Sequence, residues 1–577
     1  MTDTLQYYII DGIAPFFSAI DTRDGETLNW SKVPFARLEK EDRLSPEIAG
    51  RVAARFEEYT DRAASLGFNC ITLDDVAHLV CLDMYPRELC EKISDYQRLY
   101  SRLIRAARDR GMTVLVTTDL MFFNHHIEAH TSMRDGPTVH LMATTLRRLF
   151  KAFPGIGGVV IRLGESDGID VAGDFRSRLV IRTPAQCRRY IRGLLPLFEK
   201  YDRLMVVRTW SLGAYRIGDL MWNPRTYDKV FGGVVSRHLI VSHKFGDTDF
   251  YRYLKLNNLF FEGQHQKIVE LQARREYEGF GEFPSFTGFD YEGYRRTLEE
   301  CRDLAGISVW CQTGGWSRFR RLSFLPSSSL WNEINAYVTI KIFRDRLSAL
   351  EAIAEFCREK LPGKDPRKLI RLLSLSDTLV KELWYLPEFS RQRLYFRRLR
   401  VPPLLWIFWD TIVVNHTIRK VLRRLVRRRR EAIREGYQAL YKIREMRGLA
   451  GDLGIDQSMF DFQYDTFRLV ATAREYFLGQ WSAELGERIE RMAHEYRNRY
   501  PNGFVIEHDF APVRIKKRVI KAIFKLCLRR RPDYRTADSL FLLRLTGWFY
   551  PLVRVWERRR MPEFVQKQAM GIQVLFK

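Results

Sequence analysis

The first 345 residues alternate between two patterns, and that alternation constrains the fold more than any other feature. Short β-rich runs stand at 7–10, 69–73, 113–117, 158–163, 204–208, 239–242, 268–274 and 307–311. Between most of them lie segments with helical period, at 48–66, 94–110, 138–150, 184–200, 224–231 and 291–304. Eight strands mostly alternating with helices predict a (β/α)8 barrel. A doubly wound open sheet would want a glycine-rich phosphate turn after its first strand, but the turn reads IIDGIAPFFS, without GxGxxG.

A barrel carries its chemistry at the C-terminal ends of its strands. Ionisable residues crowd those positions here. Asp11 follows the first run, Asp74 and Asp75 the second, and Asp119, His125 and His126 the third. Glu165 and Asp167 follow the fourth, and Arg208 ends the fifth. His243, Lys244, Asp247 and Asp249 follow the sixth, Glu276 the seventh, and Gln312 and Trp316 the eighth. Trp210, Trp222, Tyr277 and Trp316 lie among these loops. Carboxylates among aromatic faces suit a carbohydrate site, which needs an acid, a base and surfaces for C–H stacking. Adjacent His125 and His126 point apart, and neither HxH nor HExxH occurs, so no metal is expected. GxSxG is also missing, and no cofactor is expected.

The ordered series VVIRLGES, VVRTW, IVSHKFGDTDF and ELQARREYEG resembles the family 67 glycoside hydrolases, the α-glucuronidases. IIDGIAPFF, GFNCITLDDV and LWNEINAYVTIKIFRDRLSALEAIAEF extend the resemblance over roughly residues 5–360. It implies that Glu165 is the general acid, that Asp249 and Glu276 activate water in an inverting mechanism, and that Arg208 and Lys244 hold a uronate carboxylate. Asp75 and Trp316 are candidate substrate contacts. Inversion needs acid and base about 6.5–9.5 Å apart with water between, and Arg with Lys suits a carboxylate. The chain departs from the family in three ways. The barrel begins almost at once where the family usually has a separate β-rich N-terminal domain, SDGIDVAGDF follows Glu165, and Asp74-Asp75 stands where amides are usual. Asp247 competes with Asp249 as the base partner.

Each residue also has a structural alternative. Glu165 can pair with Arg162 or Arg176, and Glu276 with Arg274 or Arg275. Asp249 can cap a helix, and Arg208 and Lys244 can form ion pairs. Trp316 can simply pack. The expected function is exo-acting removal of a terminal uronic acid or related acidic sugar; the alternatives are a non-catalytic barrel binding acidic glycans and a glycosidase for a neutral sugar.

Charge divides the chain. Residues 1–345 hold 47 Lys+Arg against 44 Asp+Glu, whereas 346–577 hold 48 against 26. A catalytic barrel over 1–345 and a helical domain over 346–577 are expected. IRKVLRRLVRRRREAIR at 418–434 predicts one amphipathic helix, with Val421, Leu422, Leu425 and Val426 on its apolar face. VPPLLWIFW before it predicts a hinge and a buried helix, and KKRVIKAIFKLCLRRR is a second basic block. The basic surface can be a solvated face packing on the barrel or in a homodimer, an anionic-polysaccharide surface, or a membrane-surface helix. No motif specifies nucleic acid. The longest apolar run, 401–414, is 14 residues with Asp410 inside it, too short to span a bilayer. The polar start at 1–5 is no signal peptide, and eight sparse cysteines form no CxxC. A cytoplasmic, reducing compartment is therefore expected.

Overall fold

The computed structural model describes residues 5–132, 134–163, 173–177, 180–211, 215–312, 314–396, 398–511 and 528–530. Eight parallel strands close into a barrel. They are β1 (Tyr7–Asp11), β2 (Cys70–Leu73), β3 (Thr113–Asp119), β4 (Gly158–Arg162), β5 (Leu204–Arg208), β6 (Leu239–Lys244), β7 (Gln266–Gln272) and β8 (Leu304–Trp310). Ile9 of β1 pairs with Cys70 on one side and Ser308 on the other, which closes the ring. Helices such as Pro46–Leu66, Arg87–Asp109 and Pro184–Tyr201 cover the outside. The expected (β/α)8 barrel is present, with a mainly helical, strongly basic region after it.

The alternation of side chains along a strand builds the floor of the site. Ile9, Cys70, Leu115, Val160, Val206, Ile240 and Ile268 form a buried cluster of their own, one residue from each of β1 to β7. This is the apolar plug inside the barrel. Two residues further along each strand, on the same face, stand Asp11, Thr72, Thr117, Arg162, Arg208, Ser242 and Glu270. The barrel interior thus changes from fully apolar to fully polar in one step of the pleat, toward the C-terminal ends.

Beyond the barrel stands a helix over Leu330–Arg344. Helices Ala349–Lys360, Pro366–Leu379, His416–Leu425, Arg429–Leu453, Ser458–Leu478 and Ala483–Arg499 follow. One buried core joins barrel and helices, containing Phe283, Trp331, Trp384 and Phe467. Three expectations are corrected. The 401–409 segment forms no helix: Pro402 and Pro403 deny helical N–H donors, and the chain enters β9 (Ile407–Phe408), which pairs with β10 (Thr411–Asn415), itself parallel to β11 (Val505–Asp509). The basic 418–434 segment is two helices, broken around Val426–Arg428, because Leu422 and Val426 are buried and Glu388 takes the backbone N–H groups of Arg427 and Arg428. Finally, Cys81 and Cys90 are disulfide-bonded, which departs from the expectation of a reducing compartment.

Candidate active site

The polar layer opens into a cavity of roughly 950 Å³, a figure that includes the open solvent at its mouth. Its walls include Asp11, Asp74, Arg162, Arg208, Lys244, Asp249, Glu276 and Tyr277, with Trp210, Trp310, Trp316 and Trp409 as aromatic faces.

On the β6–β7 side, Asp249 forms an ion pair with Lys244 and accepts the Phe250 backbone N–H at 2.9 Å on the same oxygen. Its other oxygen accepts the Tyr277 hydroxyl at 2.9 Å. Lys244 Nζ also stands 3.7 Å from the Trp210 ring centre and 4.5 Å from that of Phe250. Asp249 is therefore oriented from three directions. Glu276, on the next loop, is buried in the same wall. Burial, and after it the negative charge of Asp249, pushes its carboxyl up to about 8. Two carboxyls on one wall thus face the cavity differently: one is held by donors, and the other is raised by burial. Among the described residues, neither Arg274 nor Arg275 bonds Glu276. Arg275 pairs with Glu278 at 2.8 Å, and Arg274 lies over the rings of Trp30 and Phe280.

Arg208 does not stand as an open cation. Its Nε and Nη2 donate to the two oxygens of Glu270 at 2.9 and 2.8 Å. Ser242 Oγ donates to Glu270 at 2.8 Å and Trp310 Nε1 at 3.1 Å. Burial works to raise the Glu270 carboxyl, but Arg208, and after it Lys244 and Ser242, hold it below the usual range.

The opposite wall is built on β2–β4. Arg162 bridges Asp74 at 3.5 Å and Asp119 at 3.0 Å, and Lys32 reaches Asp119 at 2.8 Å. Burial lifts Asp74 to about 6 against the pull of Arg162. Burial pushes Asp119 the same way, but Arg162 and Lys32 outweigh it and hold the carboxyl at about 2. Asp11 accepts the backbone N–H groups of Cys311 and Gln312, so it fixes the exit of β8.

Of the residues expected in the site, Arg208, Lys244, Asp249, Glu276 and Trp316 meet in this cavity. Asp75 does not line it; its carboxylate accepts the His78 backbone N–H and contacts His78 Nδ1 at 2.8 Å, while the neighbouring Asp74 lines the wall. Asp247 is also placed elsewhere, paired with Arg393 at 2.8 Å and bonded by the Tyr395 hydroxyl at 3.1 Å. Glu165 lies outside the described residues.

Several contributors were not picked out for the site from sequence, Trp310 and Arg162 among them. Glu270 had one signal, a carboxylate inside the apolar run KIVEL. Lys32 comes from a loop without a motif. Trp409 arrives from the helical region, at the turn between β9 and β10, and is fixed by Asp410, which accepts the Arg318 backbone N–H at 2.8 Å. Only glycine fits beneath it: a Cβ on Gly315 would sit 1.6 Å from Trp409 Nε1. The helical region also props the loop after β7, because Trp384 Nε1 donates to the Tyr277 carbonyl at 2.8 Å and the Tyr385 hydroxyl to Glu278 at 2.9 Å.

No family model matches the chain, and no curated protein shows significant similarity to it. Solved structures give distant likenesses. A GH138 enzyme targeting pectin rhamnogalacturonan II is 11% identical, with a TM-score of 0.48 over 87% of this chain and 62% of that one. A family 89 glycoside hydrolase from Clostridium perfringens is 9% identical, with a TM-score of 0.48 over 86% of this chain and 54% of that one. A β-mannanase from the blue mussel Mytilus edulis is 12% identical, with a TM-score of 0.34 over 56% and 92%. The chain spans about six-tenths of the first and just over half of the second. The chemistry of the site is therefore read from its own residues.

Proposed function

We propose that this chain is an exo-acting glycoside hydrolase. One observation carries the reading: Asp249 and Glu276 share a wall, joined through Tyr277, at the bottom of a cavity faced by four tryptophans. Because they share a wall, the two carboxyls act on the same face of a bound sugar. Ionised Glu276 takes the proton from the attacking water, and Asp249 orients that water and offsets the charge developing at the anomeric carbon. The leaving oxygen needs a proton from elsewhere. The resemblance to α-glucuronidases gives that role to Glu165, three residues beyond Arg162 in sequence. The resemblance implies an inverting outcome, for which acid and base stand about 6.5–9.5 Å apart with water between.

The resemblance to α-glucuronidases supports a uronic acid as the sugar released. A specific contact favours a second reading, an uncharged sugar. Arg208 is closed on Glu270 and Lys244 on Asp249, so both cations expected to clamp a uronate already hold a carboxylate of the chain. The test is a digestion panel that pairs each acidic oligosaccharide with its carboxyl-reduced counterpart, with the product anomer followed by NMR. Preferential release of the uronic acid supports the first reading, and preferential release of the reduced sugar the second. An initial product of retained configuration refutes the inverting assignment.

A further inference from the structure

The proposed reaction uses the cavity but not a groove beside it. Residues 22–25 of the loop after β1, Glu282 of the loop after β7 and residues 318–321 of the loop after β8 line this groove. The helical region closes it with Phe462 and residues 499–503. Its barrel residues all follow C-terminal strand ends, so the groove opens on the same face as the cavity. Two loops wall both: Asn29 and Lys32 of one, and Gly315 and Trp316 of the other, line the cavity. A short ribbon pairs Asn29 with Trp316 and Leu28 with Ser317, and it leads directly into Arg318. Two strand residues advance the chain by about 7 Å, so Arg318 stands one short step beyond Trp316. The helical region spans the same step, because Trp409 lines the cavity while Asp410 accepts the Arg318 backbone N–H at 2.8 Å.

Five arginines and two carboxylates line the groove. Arg321 pairs with Glu282 at 3.3 Å, Arg499 with Asp465 at 2.8 Å and Arg318 with Asp410 at 3.5 Å. The other carboxylate, Asp24, is met by Asn502 Nδ2 at 3.4 Å. Arg23 and Arg320 make no ion pair among the described residues. Arg23 is exposed. Arg320 is half-buried and donates to the backbone carbonyls of Ser317, at 3.3 Å, and Glu26, with its guanidinium 5.7 Å from the Trp30 ring centre. Burial presses that guanidinium below its usual range; Glu26 and Asp410 pull against this, and Arg37 and Arg318 add to it. A cation withdrawn from water without an acid partner gains from an anion placed beside it, and a guanidinium suits a carboxylate through paired hydrogen bonds. Phe462 and Tyr500, half-buried with ring centres 5.1 Å apart, give the groove an apolar side for the C–H face of a sugar.

We infer that the groove is a leaving-side subsite: it takes the carboxylate of an acidic sugar unit in the same oligosaccharide whose terminal sugar fills the cavity. The inference rests on the exo-glycosidase reading and on neither choice of terminal sugar. Continuity with the cavity selects the occupant, because the ribbon that carries Trp316 in the cavity wall delivers Arg318 and Arg320 to the groove. Charge selects its chemistry. Arg208 and Lys244 already hold carboxylates of the chain, whereas Arg23 and Arg320 have charge to offer.

The experiment is calorimetric titration of the full chain, carrying Glu276→Gln to prevent turnover, with short oligomers of galacturonate, mannuronate and glucuronate and with their carboxyl-reduced counterparts. At least one acidic oligomer is expected to bind about tenfold or more tighter than its reduced counterpart at low salt, with the preference shrinking at high salt. Adding Arg23→Glu/Arg320→Gln, checked for an unchanged melting temperature, is expected to abolish the preference and leave binding of the reduced oligomer as it was. Arg23→Glu alone, on an exposed side chain, is expected to lower the preference in the same direction, so the test holds even where Arg320→Gln disturbs the fold. The inference is overturned if no acidic oligomer is preferred, or if the preference survives both substitutions, which places acid recognition in the cavity instead. Failure of the reading beneath it shows separately: wild type that keeps the groove-dependent preference and releases sugar from none of the oligomers supports the acidic ligand of the groove and refutes the exo-glycosidase.

Discussion

The Tyr277 hydroxyl donates to Oδ2 of Asp249 across 2.9 Å, while the Tyr277 carbonyl is held by the Trp384 indole. A side chain of the helical region thereby sets the position of a carboxylate in the barrel mouth. Tyr277→Phe removes the donor and leaves the ring. Losing one hydrogen bond to a charged group should lower kcat by about 10–100-fold. KM should change little. Steady-state kinetics separate the two parameters; a change in KM alone would make Tyr277 a substrate contact instead of a positioning residue.

Glu276 gives a pH prediction with a definite sign. Its proton is held up to about 8, and the proposed role needs the ionised form. kcat/KM should therefore rise about tenfold per pH unit below that value and level off above it. Stability should move the other way. The folded pKa lies above the ordinary 4.5, so the contribution is full below about 4.5 and is lost as pH rises through about 8. Glu276→Gln has no such charge to bury. Its melting temperature should exceed that of the wild type near pH 8 and converge with it near pH 4.5, measured by calorimetry.

Arg208→Ala should be mainly a structural lesion. It strands the buried Glu270 carboxylate, which costs about 3–5 kcal/mol when one partner of a buried pair is removed. Arg208→Met/Glu270→Leu should recover most of that stability. Activity on a uronide and on its carboxyl-reduced counterpart should fall together in Arg208→Ala. A loss confined to the uronide would restore Arg208 as a carboxylate clamp.

Gly315→Ala places a methyl group where the Trp409 indole lies. Overpacking of this kind costs about 1–3 kcal/mol, and it should displace the one tryptophan that the helical region contributes to the cavity wall. KM should rise several-fold with a smaller change in kcat. Gly315→Ala/Trp409→Ala should regain stability without regaining affinity.

The barrel was legible because a period of two followed repeatedly by a period of 3.6 admits few folds. The strand-end carboxylates were legible for the same reason, since the fold dictates where its loops converge. The closure of Arg208 on Glu270 was not. It joins β5 to β7 across the barrel interior, a neighbour relation that no sequence spacing encodes. Trp409 was invisible as a site residue because its segment read as part of a buried helix, whereas paired prolines turn it into a hairpin. Asp75 was chosen over Asp74 because sequence cannot say which of two adjacent carboxylates faces the cavity and which caps the next turn.

The most direct test of the central claim is release of monosaccharide from an oligosaccharide panel by wild type, Asp249→Asn and Glu276→Gln, with ligand binding measured on the same proteins. The account predicts that the wild type liberates a single terminal sugar. Both variants should bind that substrate but turn it over slower by about a hundredfold or more. A wild-type chain that binds oligosaccharides and releases nothing, or a Glu276→Gln protein as active as wild type, would contradict it.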